Sequence, residues 1–344
     1  MIRCVDIGIG LLVAGFVFIF LGSAFGLSMA AYLAGACFVC SLFLYKNISP
    51  KVGICIAFLS LLLMLISPSP YIMAALFPLM GFFFSGRNKY SSVHAKGTRY
   101  ALFFGISFIY TVSIIIGFES SSGSHNQLSV FVALALIAEI LYFGKPSRLY
   151  IALIFISFFV FGNRSSIFLM ASFIKNKLAL AVFVSISIFF VSITLEIIDP
   201  PDFLAFLFDK GAFLYRSYRE ARAIYLEEFM ESFSFLNLSY DGWRFSEVPQ
   251  TSSGFYDLHN SFLTIIVRDS YLGIFKLFLW VITIFYLPLG IFLAITLRAF
   301  NDTFLLGGVS DVVLNALIGR SIISLWGDLN IFFNKYATLT VSND

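Results

Sequence analysis

His259 and Asn260 close a long polar stretch, Asp199 to His259, and stand directly before an apolar run. A histidine at such a junction sits between water and apolar surroundings, and imidazole, with an unperturbed pKa of about 6.5, exchanges a proton readily near neutrality. Arg164 lies in Gly162-Asn163-Arg164-Ser165-Ser166, a short polar turn between two apolar runs. Arg216, Arg219 and Arg222 fall between Phe213 and Phe233, where nothing breaks a helix; at about 100° per residue they share an arc of about 120°. Guanidinium is a permanently charged fork that holds two phosphate oxygens at once. Two arginine sites and one histidine therefore point to a diphosphate and a proton transfer. Each residue also has a plainer role: Asn260 suits a helix cap, Arg164 can snorkel to lipid headgroups, and Arg216 can pair with Glu220 one turn on. That pair accounts for one arginine, not for three on one face.

No carboxylate pair at metal-binding spacing, no Cys/His cluster and no glycine-rich phosphate loop occurs, so the expected chemistry uses neither a metal nor another cofactor. Cys4, Cys37, Cys40 and Cys55 lie in or beside apolar runs far from the polar stretch and read as small apolar residues. His94 and His125 fall in polar loops and read as solvated.

The residues His259, Asn260, Ser261, Phe262 and Leu263, with Gly273 fourteen positions after the histidine, resemble the signature of the O-antigen ligase and polymerase family of integral-membrane glycosyltransferases. Two positions depart: Arg268 and Ser270 stand where the family often has an acid and a glycine, with Asp269 beside them as a substitute acid. The family also carries a Ser-Arg or Asn-Arg turn, matched by Arg164, and an arginine opening a helix in its external loop. Arg222 with Phe233 and Gly242 fits that element, as do Arg219 with Phe229, and Arg216 if spacing is counted back from His259. The sequence does not choose among the three.

The resemblance implies a glycan donor linked through diphosphate to a polyprenyl carrier, held by the arginines, with His259 activating or orienting the acceptor hydroxyl and Asn260 in support. Tyr215, Tyr218, Tyr225, Trp243 and Tyr256 would stack on sugars or pack the loop. The resemblance implies an inner-membrane glycosyltransferase and is shared by polymerases and ligases. A polymerase of O-antigen or capsule repeat units is the expectation because polymerases are more numerous and more divergent and this chain is divergent and short, with ligation of glycan to a lipid A core as the alternative. Expected partners are the carrier-linked glycan, the bilayer, and the chain-length regulator and flippase of the same pathway; nucleic acid is not expected. A reading from another class is a transporter of lipid-linked oligosaccharide, which would need polar groups distributed along the bundle interior and discontinuous helices near the midplane.

The elements that must position these residues are set by composition. With 60% hydrophobic and 12% charged residues and a mean hydropathy of +0.94, the chain reads as an all-α polytopic membrane bundle of about 10–12 spans with one large external loop containing a helix. The apolar runs predict spans over about 7–25, 27–45, 52–66, 71–86, 100–118, 128–144, 149–162, 165–174, 178–197 and 262–296, with a further one near 303–327. The run 165–174 is too short to cross alone and is expected to tilt or to be re-entrant. The chain divides into membrane helices over 1–197 with the Arg164 turn, an external domain over 198–260, and C-terminal membrane helices over 261–344. The tail beyond Arg298 reads as a poor final helix or as an amphipathic segment lying on the membrane. Within the spans, Glu139 stands out as a structural or gating residue and Lys276 as a cation near the interface.

Cytoplasmic loops retain Lys and Arg. Alternating spans then put Arg3, Lys46, Lys51, Arg87, Lys89, Lys96, Arg99, Lys145, Arg148, Lys175, Lys177 and Arg298 on the cytoplasmic side, and Arg164 and the long polar stretch outside. Accessibility checks this arrangement. With the four native cysteines replaced, a cysteine at Ser91 is expected to resist a membrane-impermeant thiol reagent in intact cells, and one at Ser252 to react; the reverse labelling would put the proposed site on the wrong face.

Overall fold

The computed structural model describes residues 4–25, 28–45, 95–115, 126–161, 163–194, 260–269, 271–301 and 313–321, with a few isolated positions beyond these. His259, Arg216, Arg219, Arg222, the external domain 198–260 apart from single positions and Asn260, and the predicted spans 52–66 and 71–86 lie outside the described residues. Among the described residues the structure is all helical, with no strand.

The helices are α1 (Cys4–Phe25), α2 (Ser28–Tyr45), α3 (Ala95–Ile115), α4 (Asn126–Phe143), α5 (Tyr150–Phe159), α6 (Lys177–Thr194), α7 (Ser261–Asp269), α8 (Tyr271–Ile282) and α9 (Leu289–Phe300). A 3-10 segment, Arg164–Phe173, connects α5 to α6, and a short one, Thr283–Phe285, follows α8. Residues 313–321 form a further helical stretch. Among the described residues no helix is long and apolar enough to cross a membrane.

The centre is α4. From Val130 to Leu141 every position is buried, as expected of a helix that is apolar all round and so has no face to give to water. Phe131 meets Phe16 of α1 edge to face, with ring centroids 6.0 Å apart, and α1 in turn packs along α2 through Phe16 and Phe38 at 5.3 Å. Side chains of α1, α2, α3, α4, α5, α7, α8, α9 and the stretch 313–318 share one core. The described parts of the N-terminal and C-terminal halves thus pack together. The 313–321 stretch is buried at Val313, Leu314, Ala316, Leu317 and Ile318, so it is a core helix rather than an amphipathic segment on the membrane.

Glu139 has a structural job at one end of α4. Its Oε2 accepts from the backbone N–H of Ser147, holding the connection to α5, while Gly144, at φ 77, closes α4 in the left-handed conformation. Arg99 donates to the Lys145 carbonyl at 3.2 Å and lies over the Phe143 ring. Arg320 donates to the Leu141 carbonyl at the same end.

The stretch 262–296 is not one span. As a straight helix its 35 residues would rise about 52 Å, well beyond a hydrocarbon core of about 30 Å. Proline lacks the N–H that a continuing helix needs, and the chain reverses through Tyr286 and Leu287 to restart after Pro288. The two arms are held by Trp280, which stacks on Phe292 with centroids 5.2 Å apart and donates its indole N–H to Thr296 at 3.1 Å.

The run 165–174 is likewise no α-helical span. All of it but Ile174 lies in the ten-residue 3-10 segment Arg164–Phe173, which at about 2.0 Å per residue rises about 20 Å, less than a bilayer core. It lies along α9 in the opposite direction: Gly290 faces Ala171 and Ile174, and Arg298 reaches Ser165. A Cβ on Gly290 would stand 2.5 Å from the Ala171 carbonyl oxygen, a backbone atom with no rotamer to yield. Gly290→Ala is therefore expected to separate α9 from the 3-10 segment at a cost of about 1–3 kcal/mol. Gly10→Ala, where nothing lies within 4 Å, should gain about 0.5–1 kcal/mol of helix stability. Thermal unfolding in detergent checks both signs; equal melting points would refute the close approach.

Candidate functional site

Asn163 begins the site. Its backbone is extended (φ −82, ψ 94) and its side chain accepts from the Ser166 N–H, as a cap does at the start of a helical segment. The same Oδ1 takes the Ser165 hydroxyl at 2.9 Å and the Ser166 N–H at 2.9 Å. Ser166 Oγ returns a bond of 2.7 Å to the Asn163 carbonyl, and the Asn163 N–H reaches back to the Ser157 carbonyl at 2.9 Å. Asn163, Ser165 and Ser166 are all buried. The turn is therefore closed upon itself, and Arg164, half buried, is its first 3-10 residue.

Beneath the turn lies a guanidinium. Arg298, in the last turn of α9, has a relative exposure of 0%, and its Nη1 donates to Ser165 Oγ. A cation taken wholly out of water is costly unless acceptors surround it, and the last turn of a helix, where free carbonyls carry partial negative charge, favours one. The Tyr110 hydroxyl shares a hydrogen bond with Ser157 and lies within reach of the Arg298 charge. Tyr110 also packs edge to face on Phe161, with centroids 5.4 Å apart.

This placement corrects the sidedness expected for Arg298. Spans that alternate, with 262–296 as one crossing, put it on the face opposite Arg164. The reversal before α9 brings Arg298 back to the end of the bundle that holds Ser165. The sequence reading missed it for a second reason: Arg298 stands just past the predicted end of an apolar run, where a loop cation is expected. The signal available was its context, since Leu297, Ala299 and Phe300 continue the apolar pattern on both sides.

At the same end, Asn260 caps α7. Its Oδ1 accepts from the N–H groups of Phe262 at 3.0 Å and Leu263 at 3.1 Å, and its carbonyl takes the Thr264 hydroxyl at 2.8 Å. Asn260 is buried, and its side-chain oxygen is committed to the helix start. Its structural role is thus shown by its contacts. The ring of Phe262 meets that of Phe300 with centroids 4.6 Å apart, which ties the first turn of α7 to the last turn of α9. Through α9, the structure brings together two of the segments singled out in the sequence, the Arg164 turn and the stretch that follows His259.

Among the described residues no group of His, Cys, Asp and Glu could hold a metal ion. Among the described residues the polar groups at this end are guanidinium, hydroxyl and amide, and those of Asn163, Ser165, Asn260 and Arg298 bond to the protein itself.

The cap makes a test. Asn260→Ala is expected to cost about 1 kcal/mol by leaving the first N–H groups of α7 without their acceptor. Asn260→Asp and Asn260→Ser should retain most of the stability, because each keeps an oxygen at the capping position. Melting of the three variants in detergent reads this directly; equal loss in all three would show that the amide, not the cap, is what matters.

Comparison with known proteins finds no matching family model, no matching curated protein and no solved structure of similar fold.

Proposed function

We propose that this chain is a membrane glycosyltransferase that polymerises lipid-linked glycan repeat units, acting at the end of the bundle that carries Arg164 and Asn260. The observation that supports this reading is the bridge made by α9. Arg298 engages the turn of Arg164, and Phe300 engages the helix that follows His259, so segments about a hundred residues apart in sequence meet at one end.

The bilayer setting rests on surface. No described helix is long and apolar enough to cross a membrane, yet the 22 residues of α1 rise about 33 Å, comparable with a hydrocarbon core. We give more weight to what faces outward. Met29, Phe108, Ile115, Leu178 and Phe285 are 65–76% exposed, on four different elements, while Arg298, Glu139, Ser157 and Ser166 are buried at 0%. Large apolar side chains outside and polar groups inside suit a lipid solvent and not water.

In this reading Arg164, with one or more of Arg216, Arg219 and Arg222, holds the diphosphate that joins the donor glycan to its polyprenyl carrier. As the anomeric C–O bond breaks, negative charge grows on the departing diphosphate, and a guanidinium fork offsets it. His259 takes the proton of the acceptor hydroxyl as the new C–O bond forms. Ligation to a lipid A core would use the same groups and differ only in the acceptor.

Reconstituted protein with purified carrier-linked repeat units tests this. Wild type should give longer glycans, Arg164→Ala should give none with normal protein in the membrane, and Arg164→Lys should recover part, since Lys keeps charge without the bidentate fork. His259→Ala should bind donor normally and turn over about 10²–10⁴ times more slowly, the usual worth of general acid–base help. Wild-type activity in both alanine variants would sink the proposal.

A further inference from the structure

We infer that Arg298 is a positioning residue: the last turn of α9 is a spacer that sets the Arg164 turn against the start of α7, and the buried guanidinium is its anchor. As a statement about donor binding this rests on the function proposed above; as a statement about the turn it does not.

The geometry of one helical turn carries the inference. Residues two apart on an α-helix project about 200° from each other, so Arg298 and Phe300 leave α9 on nearly opposite sides. Arg298 meets Ser165 on one side, and Phe300 meets Phe262 on the other. The width of α9 therefore sets the separation between the two segments. Asn301 completes the end, its side-chain amide donating to the Leu297 carbonyl at 3.0 Å and its N–H closing on the Arg298 carbonyl at 3.1 Å.

The other side chains explain why a guanidinium is used. Ser165 Oγ gives its proton to Asn163 Oδ1, so toward Arg298 it presents lone pairs, and a cationic N–H is the donor that binds them best. Asn163 in turn holds the Ser166 N–H, the first backbone bond of the segment that Arg164 opens. The order is thus guanidinium, hydroxyl, amide, backbone, and loss of the first member loosens the last. Arg298 itself is wholly buried, and acts on the site through Ser165.

Hydrogen exchange read by mass spectrometry on the full chain in nanodiscs tests this without reference to activity. Arg298→Met and Ser165→Ala are expected to speed exchange at residues 163–167 by about tenfold, a local opening, with 131–141 of α4 unchanged; Arg298→Lys should fall between. Ser165→Ala keeps the arginine and removes only its acceptor, so it answers the question should Arg298→Met fail to fold. In the transfer assay both should raise the KM for the carrier-linked donor by about three- to tenfold and change kcat less, the pattern of lost binding; a residue that only stabilises the fold would lower the amount of protein and leave KM alone. Unchanged exchange at 163–167 in both variants overturns the inference whatever the transfer assay shows. Loosening of the turn in a protein whose wild type transfers no glycan overturns the donor-site reading and leaves the spacer standing.

Discussion

A positive charge that has no contact with solvent dictates much around it. Arg298 is such a charge, and losing its acceptors would cost about 3–5 kcal/mol, a large part of the stability of an ordinary domain. One acceptor it uses is a serine in a turn more than a hundred residues earlier in the chain. For that contact to exist, α8 must reverse at Pro288, α9 must run back along the 3-10 segment, and Gly290 must permit the two backbones to touch. The hairpin, the close approach and the closed turn together create the place in which this ion is buried.

The 3-10 geometry of Arg164–Phe173 fits the same constraint. Such runs are uncommon beyond three or four residues, because side chains eclipse and the hydrogen bonds are poorer. Here ten residues keep that form between a strong cap at Asn163 and a flank of backbone contact with α9. From Ser165 to Ala171 an α-helix would rise about 9 Å and a 3-10 helix about 12 Å, and the latter matches the rise of about 12 Å from Gly290 to Arg298 on α9. The tighter, longer helix matches the two anchor points on α9, which tertiary packing fixes and intrinsic preference would not.

The opposite end of the bundle is built by different means. There Glu139 holds a backbone N–H of the α4–α5 connection, and Arg99 and Arg320 donate to carbonyls at the C-terminal end of α4, where exposed helix carbonyls await donors. Polar side chains therefore close both ends of an apolar core, and α4 runs through its middle. The candidate site lies at the end where a charge is sunk into the core.

Among the described residues most helix positions were legible in the sequence, because apolar runs bounded by polar or glycine-containing breaks mark where backbone must satisfy itself. The predicted spans at 7–25, 27–45, 100–118, 128–144, 149–162 and 178–197 match α1 to α6 within a few residues. The cap at Asn260 was legible too, since Asn before an apolar run is a local signal that needs no partner. Arg164 could be singled out by type and by its turn, and its place at the head of a helical segment follows from the Asn163 cap beside it. What the sequence could not specify was the reversal within 262–296 and the meeting of Arg298 with Ser165. Hydropathy measures how apolar a run is and carries no sign for direction, so one long pass and a hairpin of two short ones look alike apart from a proline. The partner of a buried charge is chosen by packing across distant segments, and only the tertiary structure decides which serine it finds.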